Sequence, residues 1–438
     1  MRGIGYQIPV PAPMLSPMKR IASSLNLLSL LLGIPAGAAF GQLDFWDLPP
    51  ISYSDTPATD AISKMAAELA AGTLEIEGQG ALERLEFVLN KLEVPVESQV
   101  LVFSKTSLQN GRIHPKNPRS LYFSENAYVG YVPGGAMEAI IHDPVLGPVF
   151  YLIESGGKQG LRIERDTNNC LSCHATGRTE GVPGMLIRSV YPDSDGHPLL
   201  HLGTNDVSHE TPLDQRWGGW YVTGSSSLPH LGNRVFSEEG DLEPKGHPIE
   251  DVGGLLDISK YPLPTSDIVA LVVLEHQCEM HTLMNAAAMN YRRARHFTKT
   301  MDPGSDPDSG SAGGVAESWA DKIVECMFFK DEADLGEGIE GNAGFQNAFA
   351  SQFPRTEDGD SLAEFRLYGR IFKNRCSYMV YSDAFRGLPE TVKGKVLARM
   401  RKVLEGTDPG IDWIGAPERK RISRILEETF DGWNLEEK

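Results

Sequence analysis

Residues 121–131, Leu121-Tyr122-Phe123-Ser124-Glu125-Asn126-Ala127-Tyr128-Val129-Gly130-Tyr131, place two short aromatic and β-branched runs on either side of a polar turn. That is the pattern of paired strands, and it recurs outward in both directions. Residues 100–103 (VLVF) and 149–152 (VFYL) are runs of the same kind, and 185–191 and 217–223 continue the texture. Further upstream the period changes. Leu82, Leu85, Leu89 and Leu92 fall at the spacing of one buried helix face, so helices are predicted over about 60–71 and 80–92. Downstream, Ser266 is a candidate N-cap for a long helix to about Arg295, whose Arg292, Arg293 and Arg295 suit the negative end of the helix dipole. The run 302–314 (DPGSDPDSGSAGG) has the composition of a polar linker. Beyond it, helices are predicted over about 390–404 and 418–430, with Pro417 suited to the start of the second. The expected class is α+β: a mixed, strand-and-loop-rich domain over 42–264, then a mainly helical C-terminal domain over 265–438.

The 438 residues carry 41 Lys and Arg against 59 Asp and Glu, a formal net charge of −18. Such a balance argues against neutralising phosphates, so nucleic acid is not an expected partner. The start of the chain departs from the rest. Residues 1–41 hold Arg2, Lys19 and Arg20 but no acidic residue, then an apolar stretch over 25–34, then Pro35-Ala36-Gly37-Ala38-Ala39. Basic, apolar and small in that order is the layout of a secretory signal peptide, expected to be cleaved. The apolar stretch is about half the roughly 20 residues that a spanning helix needs, so no stable membrane insertion is expected. The expected location is periplasmic or otherwise exported.

Cys170-Leu171-Ser172-Cys173-His174 has the C-x-x-C-H spacing of c-type haem attachment. Each thiol at this spacing can add its S–H across one porphyrin vinyl group, and the adjacent histidine can then ligate the iron. Three rival readings exist. A zinc site needs further ligands, and no second C-x-x-C stands in the chain. A thioredoxin-like pair needs a strand running directly into a helix, whereas 166–169 (DTNN) reads as a loop. A simple disulfide leaves His174 without a reason.

Through these five residues the chain resembles c-type cytochromes. The resemblance implies one covalent haem c on Cys170 and Cys173, with His174 as the proximal iron ligand. It departs from the small single-haem members, which are all-helical with the motif near an N-terminal helix. Here the motif lies deep in the chain, among strands and loops. The whole chain is also similar to large exported bacterial haem proteins with one such motif, a resemblance to which no activity attaches.

The sixth iron ligand separates electron relay from substrate chemistry. Met185, His209 and His230 are the distal candidates, each with a plainer reading as a core methionine or a hydrogen-bonded histidine. The leading expectation is one-electron transfer with a redox partner protein or a small-molecule electron donor or acceptor. The alternatives are a haem oxidoreductase acting on peroxide or a small nitrogen or sulfur compound, with His209 or His230 as acid or base, and a haem-based sensing or binding module. In 216–224 (RWGGWYVTG), Trp217 and Trp220 are candidates for a wall against a porphyrin and Arg216 for a propionate contact; the plainer reading is a bulged strand. His276, Cys278 and His281 look metal-like but are expected in core and cap roles, since His276 and His281 point apart on a helix. Cys278, Cys326 and Cys376 are expected to give one disulfide and one buried thiol.

Overall fold

Side chains that alternate across a pleat need cover on both faces, and the chain supplies it with an antiparallel meander under helices. In the computed structural model, which describes residues 44–433 apart from 77, 157–159, 238, 239 and 309, the meander runs β1 (Val100–Val102), β2 (Arg119–Phe123), β3 (Ala127–Tyr131), β4 (Met137–Asp143), β5 (Gly147–Ser155) and β6 (Leu161–Asp166). The short strands β7 (Arg188–Val190) and β8 (Thr204–Asp206) pair separately, and β9 (Trp220–Tyr221) adds to the edge of β1. The sheet order is β6-β5-β4-β3-β2-β1-β9. In β4 the period of two is explicit: Met137, Ala139, Ile141 and Asp143 are buried and the residues between them are partly covered. The expected export segment, 1–41, lies outside the described residues.

Helices α1 (Ala61–Ala71) and α2 (Ala81–Lys91) start where their caps dictate. Asp60 accepts the Ser63 amide at 2.8 Å, and the Glu83 carboxylate turns back to the Gln79 and Gly80 amides. Helix α3 is one turn, Leu171–His174. Helix α4 (Ile268–Met301) is 34 residues, about 51 Å long, and runs six residues past the expected end. Its cap is Asp267, which accepts the Val269 and Ala270 amides at 2.9 Å. Ser266 is unavailable because its hydroxyl joins the sheet edge, accepting the Leu101 amide and donating to Tyr221 O. Helices α5 (Ser311–Met327), α6 (Ala343–Ser351), α7 (Asp383–Arg386), α8 (Glu390–Glu405) and α9 (Ala416–Thr429) complete an α+β fold.

The expected domain boundary at 264/265 marks a change of secondary structure, not a separation of cores. Asp44 onward forms one compact unit. The first half of α4 is buried on every side, sharing one core with Val100, Val102 and Tyr128 of the sheet and with Ala316, Ala320 and Ile323 of α5. Within the expected linker at 302–314, residues 303–308 turn the chain and 311–314 already belong to α5. Asp308 in that turn binds back to α4, to Arg295 Nε at 3.0 Å and to the Tyr291 hydroxyl. The expected strand over 217–223 shortens to Trp220–Tyr221. Trp217 has a φ of 67°, and a Cβ on Gly218 would stand 2.1 Å from Val190 O; the backbone here turns against β7, with the Val190 amide donating to Gly218 O at 3.0 Å, instead of continuing as a strand. Among the described residues, no helix is long and apolar enough to cross a membrane.

Candidate haem-attachment site

The C-x-x-C-H segment is shaped by its own polar residues. At the end of β6, Asp166 Oδ1 accepts the amides of Asn168 and Cys170 at 2.9 and 3.0 Å, and Oδ2 accepts the Asn169 side chain at 2.9 Å. This turns the chain into α3, where the His174 amide donates to Cys170 O at 3.0 Å. One helical turn puts Cys170 and Cys173 on the same side. Both are free thiols, Cys170 partly buried and Cys173 exposed. Burial, and then the charge of Asp166, push the Cys170 thiol up to about 12.

A second clamp holds the histidine. The Gly184 amide donates to His174 O at 2.8 Å, and His174 Nδ1 lies 2.9 Å from Gly184 O. A carbonyl only accepts, so Nδ1 carries the proton and Nε2 keeps the lone pair. Burial lowers the pKa of His174 and outweighs the Gly184 hydrogen bond, so the ring is neutral, the form a metal ligand needs. Thr179 Oγ1 packs into the same loop, 3.1 Å from His174 O and 2.9 Å from Val182 O, and the Thr282 hydroxyl of α4 receives the Met185 amide at 2.9 Å. A Cβ on Gly184 would meet Thr179 Cβ at 2.9 Å and Thr282 Cγ2 at 3.1 Å. Gly184→Ala is therefore expected to displace the clamp, costing about 1–3 kcal/mol of stability, as checked by denaturant unfolding.

Helix α3 stands over one cross-strand row of the sheet, Tyr128, Ile140 and Phe150 in register, with the His174 and Phe150 rings 5.1 Å apart. Between them lies a cavity of about 540 Å³ lined by Cys170, Cys173 and His174, by that row, and by the loops near Lys105 and His197. This is within the range of roughly 300–1,000 Å³ usual for cofactor sites. Its wall is cationic on one side, with Lys105, Arg119 and Arg188. Gly130 makes room for Arg119, since a Cβ there would stand 2.7 Å from Arg119 Nε, and Arg119 reaches Glu138 at 3.2 Å. Burial raises the Glu138 carboxyl, but Arg119 and hydrogen bonds from Gln109 and Ser107 outweigh it and hold it below the ordinary value. Arg119 Nε and Arg188 Nε are buried without hydrogen-bond partners. Two thiols, an imidazole with a free Nε2 and unsatisfied guanidinium nitrogens form a donor set that fits a haem carrying two vinyls and two propionates.

The proposed distal residues are elsewhere. Met185 is 7% exposed in the large core, its backbone tied to Thr282, and does not line the cavity. His230 is buried against Trp217, ring centroids 5.1 Å apart, and accepts the Gly232 amide at 3.1 Å. His209 is fully buried beside His276, its Nε2 donating to Lys330 O at 3.1 Å. None of the three is in the cavity wall; from 185–230 the wall takes Arg188, His197, Pro198 and Leu200, while Met185 packs in the core against α4. Arg216 and the tryptophans are not there either. Arg216 is paired with Glu275 at 2.6 Å, Trp217 Nε1 donates to the same carboxylate at 2.7 Å, and Trp220 Nε1 donates to Arg188 O at 2.8 Å. The expected disulfide among Cys278, Cys326 and Cys376 is absent; all three are buried free thiols. Sequence reasoning missed Arg119, Glu138 and Arg188. Their one signal is a charged residue at an alternating position in an otherwise buried strand. Compared with protein families, with curated proteins and with solved structures, the chain matches none.

Proposed function

We propose that this chain carries one covalent haem c and serves in one-electron transfer outside the cytoplasm. The observation that carries the reading is the meeting of Cys170, Cys173 and a tautomer-fixed His174 in the wall of a single cavity. Cys170 and Cys173 would hold the group through thioethers and His174 Nε2 would be the proximal nitrogen. Lys105, Arg119 and Arg188 would face the carboxylates. When bound, the haem supplies an iron that cycles between ferrous and ferric. The protein's part is to exclude water with Tyr128, Ile140 and Phe150 and to hold His174 neutral and oriented through Gly184.

A second reading is favoured by the composition of the wall, which includes no methionine. Its nitrogen bases opposite the motif loop are Lys105 and His197, 3.5 Å apart and exposed. An iron position left open there would bind peroxide or a small nitrogen or sulfur compound, with His197 rather than His209 or His230 as the group that handles protons. Absorbance of the full chain purified from an exporting host tests both. One haem per chain that survives denaturation is expected, with a ferrous form that does not take up carbon monoxide. Ready carbon monoxide binding replaces the electron-transfer reading with the second, and haem lost on denaturation removes both.

A further inference from the structure

Away from this cavity, three segments distant in sequence bring nitrogen and sulfur ligands together in the core. His209 lies in the loop after β8, His276 on α4 and Cys326 on α5, and their ligand atoms all fall within 4.8 Å of one another. All three are buried. The tautomers are set from outside the cluster. In the neutral ring His209 Nε2 donates to Lys330 O, which leaves the lone pair on Nδ1, 3.2 Å from His276 Nδ1. On its far side His276 Nε2 is 2.7 Å from the Ser377 hydroxyl, which also accepts the Met379 amide. Phe329 stacks on the His276 ring at 4.2 Å and fixes its plane. A fourth ligand is at hand. Glu279, one turn beyond His276, stands at the edge of this cluster: its buried Oε2 is 3.1 Å from His209 Nδ1 and without a hydrogen bond, and a turn of the side chain is needed to bring it among the other three ligand atoms.

We propose that His209, His276, Cys326 and Glu279 bind one zinc ion as a closed structural site. Two nitrogens about 2.0–2.1 Å from one zinc at tetrahedral angles stand roughly 3.3–3.4 Å apart, close to the 3.2 Å between the two Nδ1 atoms. The charge also closes: on binding, the Cys326 thiol releases its proton to solvent, and one thiolate and one carboxylate neutralise the divalent cation in a core that tolerates no net charge. The outward hydrogen bonds to Lys330 O and Ser377 are the supports that metal-bound imidazoles require. Zinc here would pin the 208–212 loop, α4 and α5 to one another.

The test is metal content and zinc-edge X-ray absorption of the full chain, purified and dialysed against a mild chelator. About one zinc per chain is expected, with one sulfur near 2.3 Å and nitrogen or oxygen neighbours near 2.0–2.1 Å. Cys326→Ser and His276→Gln are expected to lower retained zinc by roughly tenfold or more. Cys376→Ser, at a buried thiol outside the cluster, is expected to retain it, which separates ligand loss from misfolding. Zinc absent from the wild-type chain even after zinc is added, or bound with no sulfur neighbour, overturns the site and leaves a hydrogen bond between two histidines. Retention of zinc by Cys326→Ser overturns it equally.

Discussion

On the proposed attachment, alanine at both Cys170 and Cys173 is expected to reduce covalent haem from about one per chain to none. A thioether forms only when a thiol adds across a vinyl group, and no other residue in the cavity wall offers one. Singly substituted chains are expected to keep one bond. Cys170→Ala should lose more protein than Cys173→Ala, because the Cys170 side chain is partly buried, whereas that of Cys173 is exposed. Haem-dependent peroxidase staining on a denaturing gel reads the covalent fraction directly. Undiminished staining in the double variant would show that the motif does not attach haem. His174→Ala is a separate case: attachment can persist, but the spectrum should lose the signature of an imidazole-ligated iron.

Arg216→Met is expected to destabilise the fold by about 3–5 kcal/mol at neutral to alkaline pH, because it strands a carboxylate in the core. Arg216 and Glu275 are 1% and 0% exposed. Their bond is supported by Trp217 on the carboxylate and by Thr211 O and His209 O on the guanidinium, so removing one partner leaves the other uncompensated. Burial pushes the Glu275 carboxyl up to about 7 even with Arg216 in place, and the variant raises it further. The sign follows from linkage. A carboxyl whose folded pKa lies above its unfolded value contributes stability that is fully present below the unfolded value, near 4.5, and lost as pH rises through 7 and beyond. The penalty of the variant is therefore smallest near pH 4.5 and grows toward pH 8. The double change Arg216→Met with Glu275→Leu is expected to recover most of the loss and flatten the pH dependence. Denaturant unfolding at pH 5 and pH 8 measures both. A penalty independent of pH would mean that lost packing, not the uncompensated charge, is the cause.

Local chemistry was well represented in the chain. The alternation of residues 121–131, the leucine spacing of α2 and the C-x-x-C-H run each depend on neighbours a few positions apart, and the strands, the helix and the motif stand where that spacing puts them. The extent of α4 was less legible. Its first half is buried on nearly every face, polar residues included, so it shows no stripe, and its cap moved one residue because Ser266 was claimed by Leu101 and Tyr221. The distal candidates fall outside the cavity wall for a related reason. Met185, His209 and His230 follow the motif closely in sequence, and nearness along the chain was the one available guide.

By itself the sequence determined the class of fold, the position of the C-x-x-C-H run and the loop that shapes it, because Asp166 to His174 and Thr176 to Gly184 interact over ten residues or fewer. Tertiary structure alone decided which charges face the cavity, that Arg216 serves Glu275 rather than a propionate, and that Cys326 meets His209 and His276. Those pairings span 50 residues or more, and such a contact leaves no periodic trace in the chain. It exists because burying a charge or a lone pair costs several kcal/mol unless a partner arrives, and only the folded core determines which partner is within reach.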